Sequence, residues 1–199
     1  MLDTLGDDYS VRVRGDGPVH AGYISGEETA LPHGHTPNER LSEGDVLVTG
    51  ATANVDGYRS ELERTMFVGD YSDEQEHHFE LMLEAQTLAI DALGPGVPVA
   101  EVDRVVWDYF EEQGVTELAQ HHVGHNIGLG GHEPPYIDRG WGERYDGDDA
   151  LMQPGHVYTI EPGLYTDEYG YRHSDTVAIT ESGTETLTNF PRDIDSNVV

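Results

Sequence analysis

Polar and apolar residues alternate with period two over 45–55 (DVLVTGATANV) and again over 57–68 (GYRSELERTMFV). Asp56-Gly57 between the two runs is a strong hairpin signal, so a pair of antiparallel strands is expected there. The alternation puts Glu61 and Glu63 on one face of the second strand and Arg64 on the other. Two carboxylates side by side must share a proton, hold a cation or point into water. The period then changes. After Ser72, an N-cap type followed by acids, Phe79, Met82, Leu83, Ile90 and Leu93 recur at helical spacing until Gly94-Pro95-Gly96 stops the run. A second helix is predicted over 100–112, with Val102, Val105, Val106, Tyr109 and Phe110 inward and Gly114 near its end. His77 and His78 fall on a solvated face of the first helix.

Strand patterns occupy 9–15 and 171–180, and a short one covers 185–188 after the Glu181-Ser182-Gly183 turn. Residues 27–37 form a loop carrying His33 and His35, and 138–149 is a Gly- and acid-rich loop. The first eight residues and the tail after Pro191 are expected to fray. Strands alternating with a pair of helices indicate an α+β fold in one domain over 1–199, with no N-terminal accessory domain.

Chemistry concentrates in HHVGHNIGLGGHEPP (121–135), which places His121, His122, His125 and His132 beside Glu133 among four glycines. Imidazole is the usual acid, base and metal ligand near neutral pH, and the glycines free the backbone to gather those rings. Downstream, QPGHVYTIEPG (153–163) is a turn, a β-rich run and then Glu161 before a Pro-Gly break. A glutamate that closes an apolar strand is poorly solvated and calls for a partner.

Composition excludes several classes. With no cysteine, disulfides and thiolate metal sites are ruled out. No apolar run of about 20 residues offers a membrane span, and without a signal-peptide pattern a cytoplasmic protein is the default. Acidic residues number 39 against ten basic ones, all arginine, for a net charge of −29. Such a charge repels nucleic acid and anionic membranes. Because the acids are spread through aromatic-bearing periodic segments, the chain reads as a folded, halophilic protein in which salt screens the self-repulsion.

GHNIGLGGHEPPY (124–136), QPGHVYTIEPG, ALPHG (30–34) and DGYRSELERT (56–65) together resemble the superfamily of methionine aminopeptidases, Xaa-Pro peptidases and creatinase, over about 30–191. The resemblance implies the pita-bread fold, two pseudo-symmetric αβ halves around a central site, and a homodimer. Metal-dependent members hold two divalent ions with two aspartates, one histidine and two glutamates. Here His125 and Glu161 match, Glu61 replaces the second aspartate, and Gly50 and Ser174 stand where the first aspartate and the last glutamate belong. A partial set of His125, Glu161 and Glu61 would hold at most one Mn, Co or Zn ion, and none is expected to be obligatory. His33, His121, His132 and Arg172 fall on positions that bind the substrate carboxylate or polarise the scissile carbonyl. The non-functional reading of Arg172 is an ion pair with Asp175.

Three readings follow from the resemblance. One is an Xaa-Pro aminopeptidase or dipeptidase-like hydrolase with a degenerate metal site. Another is a metal-free, creatinase-like hydrolase in which His33, His132, Glu63 and Glu161 cleave a C–N bond of a dipeptide-like or small amidino-acid substrate, Glu63 and Glu161 grip a guanidinium, and Arg172 or Arg64 meets the carboxylate. The third is a non-catalytic, peptide-binding pseudoenzyme of the same fold.

Overall fold

The computed structural model describes residues 19–36, 38–140 and 150–199. The strand predicted over 9–15 and most of the loop over 138–149 lie outside them. The first described strand, β1 (Val19–Ser25), is one that sequence alternation did not single out. It runs antiparallel to β2 (Val46–Val55), which pairs in turn with β3 (Tyr58–Phe67). Asp56 and Gly57 both take positive φ, 53° and 94°, as the two-residue turn between twisted strands requires. In this register Gly50 faces Glu63 and Thr52 faces Glu61.

Helix α1 (Asp73–Ala92) starts with a complete capping box, in which the Ser72 hydroxyl accepts from the Gln75 N–H and the Gln75 side chain accepts from the Ser72 N–H. Such a cap contributes about 1 kcal/mol. Helix α2 (Val99–Gln113) stops where Gly114 turns left-handed at φ 72°. Both helices cover a five-stranded sheet of order β10-β9-β6-β4-β5, built from β4 (Gly124–Asn126), β5 (Glu133–Ile137), β6 (Val157–Ile160), β9 (Asp175–Thr180) and β10 (Gly183–Thr186). Phe79, Met82, Val102, Val106, Phe110, Ile137, Tyr158 and Ile160 form the core between them. Each apolar side chain buried there contributes roughly 1.5–3 kcal/mol.

The strand expected over 171–180 is two strands: β8 (Gly170–Arg172), paired with β7 (Gly163–Tyr165), and β9. The break has a cause in the neighbouring sheet. Thr65 Oγ1 accepts from the Arg172 N–H and donates to the Arg172 carbonyl, and Ser174 exchanges two backbone hydrogen bonds with Glu63, both 3.0 Å. Those bonds join the two sheets along β3. The tail after Pro191 is likewise ordered. Val198 bridges Phe67, Asn197 is buried, and the Arg192 guanidinium reaches Gln86 and Thr87 on α1. His77 is exposed, but His78 stacks on Tyr171 with ring centroids 5.6 Å apart, so only one of the pair is a solvated residue.

Among the described residues no helix is long and apolar enough to cross a membrane. With a charge of −29 and no lysine, the fold is expected to expand when the Debye length grows to about 30 Å at 0.01 M salt. Circular dichroism and scattering between molar and millimolar salt check this; an unchanged signal rejects it.

Candidate active site

The front face of β2 and β3 carries the acidic half of the site. Glu61 and Glu63 project there together, as period two requires, and Arg64 goes to the opposite face. Glu161 enters from the end of β6, where it and Glu61 and Glu63 bring carboxylate oxygens within 4.8 Å of one another. The histidine loop supplies the other half. His125, on β4 and fully buried, lies 3.2 Å from Glu161 Oε1 through Nε2, and His122 Nε2 lies 3.7 Å from the same oxygen. His132 stacks on His125 with centroids 3.9 Å apart. His33 sits exposed at the rim, close enough for its charge to act on His132.

Arg172 closes the site on the β8 side. Its Nε and Nη2 make a two-pronged contact with Glu63 at 2.5 and 3.0 Å, and Nη1 donates to the Pro32 carbonyl and to the Tyr165 hydroxyl, both at 2.8 Å. Tyr165 in turn lies 2.7 Å from His121 Nε2. Four of five guanidinium N–H groups are thus engaged, leaving one on Nη2.

Burial and mutual charge set the protonation of this cluster. Burial, reinforced by Glu161 and Glu63, pushes Glu61 up to about 8, so it is neutral at pH 7. Burial acts on Glu161 in the same sense and is its largest single influence, but the imidazoles of His122 and His125 and the charge of Arg172 together outweigh it and hold Glu161 well below the usual carboxylate range. For His125, burial opposes the charged form, yet the Glu161 contact raises it above its ordinary value. Burial lowers His121 to about 4, helped by Arg172. His132 is lowered by burial and by His125. Two carboxylates therefore stand in opposite protonation states, the arrangement that divides acid from base work.

Of the residues singled out from sequence, His33, His121, His125, His132, Glu61, Glu63, Glu161 and Arg172 converge. Arg64 does not. It is 2% exposed on the far side of β3, donating to Asp175 at 2.8 Å and to the carbonyls of Glu63, Ser174, Phe190 and Pro191. Its assignment to a substrate carboxylate is corrected: alternation along β3 turns it into the structural interior. The pairing expected of Asp175 changes with it, since Asp175 neutralises Arg64 and Glu63 neutralises Arg172. Nor is Glu63 free to grip a substrate guanidinium, because the protein's own guanidinium fills its two oxygens. Sequence reasoning gave no role to His122 or Tyr165. Both lay inside or beside the quoted motifs, but only the fold brings Tyr165 across to His121 and Arg172.

The family model described as metallopeptidase family M24 matches residues 11–181. The chain is 37% identical over 171 residues to an Xaa-Pro dipeptidase of Pyrococcus furiosus, covering 85% of this chain and 47% of that protein. The chain belongs to metallopeptidase family M24. Among solved structures it resembles an X-Pro aminopeptidase of Thermotoga maritima (TM-score 0.81, 33% identity, 90% of this chain and 49% of that one) and the prolidase of Pyrococcus horikoshii (TM-score 0.80, 34% identity, 87% and 48%). The pita-bread fold expected from the motifs is therefore the fold of this M24 domain. The chain spans about half the length of the curated relatives it matches. At Gly50 a side chain would start 3.6 Å from Glu63 Oε1, and the Ser174 hydroxyl donates to Glu61 Oε1 at 2.9 Å. Both positions at which the M24 resemblance calls for a carboxylate thus face a carboxylate contributed by another residue.

Proposed function

We propose that this domain is a hydrolase that cleaves a C–N bond in a dipeptide-like or small amino-acid-like substrate, with a degenerate metal site that takes at most one ion. The observation that carries the reading is the contact of Glu161 with His125 at 3.2 Å, capped by His132, where the histidine loop meets the end of β6. The two-ion centre does not fit these residues. Gly50 and Ser174 donate no carboxylate, and Glu63 is taken by Arg172.

In this scheme Glu161, ionised at neutral pH, takes a proton from the attacking water. His132 donates to the carbonyl oxygen as negative charge develops on it, and His125, stacked against it, holds its ring in place. His33, at the rim, donates a proton to the leaving nitrogen, and Glu161 gives up the one it took to solvent, so that the site ends as it began. The remaining Nη2–H of Arg172 meets the substrate carboxylate, with Glu63 and Tyr165 fixing the guanidinium plane.

Xaa-Pro dipeptides and guanidino acids, assayed in molar salt, test the proposal, together with elemental analysis after loading with Mn or Co. Cleavage with no more than one ion per chain is the expected result. Two ions per chain would overturn the degenerate site, and silence on every substrate would favour a peptide-binding role instead. His132→Ala is expected to lower turnover by roughly 10²–10³-fold, as loss of one such donor does; full activity in that variant removes His132 from the scheme.

A further inference from the structure

We infer that His122, His125 and Glu161 form a site for a single zinc-class divalent ion, built on a histidine that has no part in the five-donor set implied by the resemblance. The buried ring of His125 is held in one orientation. Its Nδ1 lies 2.9 Å from the Asn126 carbonyl, which only accepts, so Nδ1 carries the hydrogen. The Nε2 of the neutral ring is then a lone pair. It is buried, has no hydrogen-bond partner, and faces Glu161 Oε1 at 3.2 Å. Two electron-pair donors aimed at each other need a cation between them, either a proton or a metal.

His122 adds the third donor that a metal needs. Its Nε2 approaches the same Glu161 oxygen to 3.7 Å from a second direction, the two imidazoles being tilted at 81° with centroids 5.8 Å apart. With its hydrogen on Nδ1, His122 adds a second imidazole lone pair at that oxygen, and three donors converging on one point match an ion. Zinc bound tetrahedrally at about 2.0–2.1 Å sets its ligands about 3.3 Å apart, and the two separations here fall on either side of that figure. All three donor atoms lie within 4.8 Å of one another. The carbonyl behind His125 Nδ1 is the usual outer partner that orients a metal-binding imidazole.

The rival group, Glu61, Glu63 and Glu161, offers oxygen only. Two of its members are already held, Glu61 by Ser174 and Glu63 by Arg172. Two imidazoles and one carboxylate favour Zn or Co over Mn or Mg, and three protein ligands leave an open position, as in catalytic zinc sites. The site is defined by its donors whether or not the domain turns over substrate, so its test reads the ion and not the reaction.

The chelator-treated protein, titrated with Co²⁺ in molar salt and followed by visible absorption, is expected to bind one equivalent with the intense bands of four- or five-coordinate cobalt, displaced by Zn²⁺ and not by Mn²⁺. His122→Ala is expected to weaken binding by more than the roughly 10–100-fold that loss of an outer partner costs. His122→Asn, which retains a polar side chain closer in size to the imidazole, is run beside it, and His77→Ala, at an exposed histidine, should bind as the parent does. Two equivalents, no binding, or affinity unchanged in both His122 variants would each overturn the site.

Discussion

Replacing Asp175 by alanine is expected to destabilise the fold by about 3–5 kcal/mol, the cost of stranding one partner of a buried ion pair. Asp175 and Arg64 are 1% and 2% exposed and meet at 2.8 Å. Asp175 also accepts from Thr188 Oγ1 and Gln86 Nε2. Its removal leaves a guanidinium with no counter-charge within the interior, although the four carbonyls around it remain. For a chain of this size the loss corresponds to a fall in melting temperature on the order of 10 °C. The double variant Arg64→Met, Asp175→Leu should recover much of it, because an apolar pair of similar volume often replaces a buried salt bridge at little cost. Thermal unfolding in molar salt checks both, and a shift of only a degree or two in Asp175→Ala would mean the pair is solvated.

The second large effect is a loss of stability with rising pH that originates at Glu61. Its carboxyl, near 4.5 in the unfolded chain, is pushed up to about 8 in the fold by burial and by Glu161 and Glu63. Between these values the fold retains a proton that the unfolded chain has released. The unfolded state then binds fewer protons, so stability falls as pH climbs from about 4.5 to about 8 and levels off above. Each tenfold gain in the proton affinity of the folded state corresponds to about 1.4 kcal/mol at full effect, and with partial solvent access the total is on the order of a few kcal/mol. Glu61→Gln should match the parent near pH 4 and exceed it at pH 8. His121 and His173, both lowered to about 4 chiefly by burial, act with opposite sign: the unfolded chain binds their protons first, so stability is lost as pH falls from about 6.5 to about 4. The difference between variant and parent isolates Glu61 from them. Parallel pH curves for the two proteins would reject the proposed protonation of Glu61.

Local pattern carried much of this architecture. Strand alternation over 45–68, the Asp56-Gly57 turn, the Ser72 cap and the Gly114 stop each depend on neighbours within a few residues, and each is realised in the fold. Alternation alone also separated Glu61 and Glu63 from Arg64. The motifs went further and located the histidines and Glu161, because the backbone of a glycine-rich loop and of a strand end constrains where those side chains emerge.

What remained illegible was every pairing between distant segments. Whether Asp175 neutralises Arg172 or Arg64 depends on which face of β3 lies against the β8–β9 junction, and sequence separation says nothing about that. The break at His173-Ser174 and the ordered tail arise from hydrogen bonds made with β3 and α1, not from residues nearby in the chain. The sequence by itself determined the kinds of group available, the turns and the side of each strand on which a group stands. Only the tertiary structure decided which opposite charges meet, that Glu63 is engaged by Arg172, and that His122 and Tyr165 belong to the site, because ion pairing and burial are set by distances through space that the order of residues does not contain.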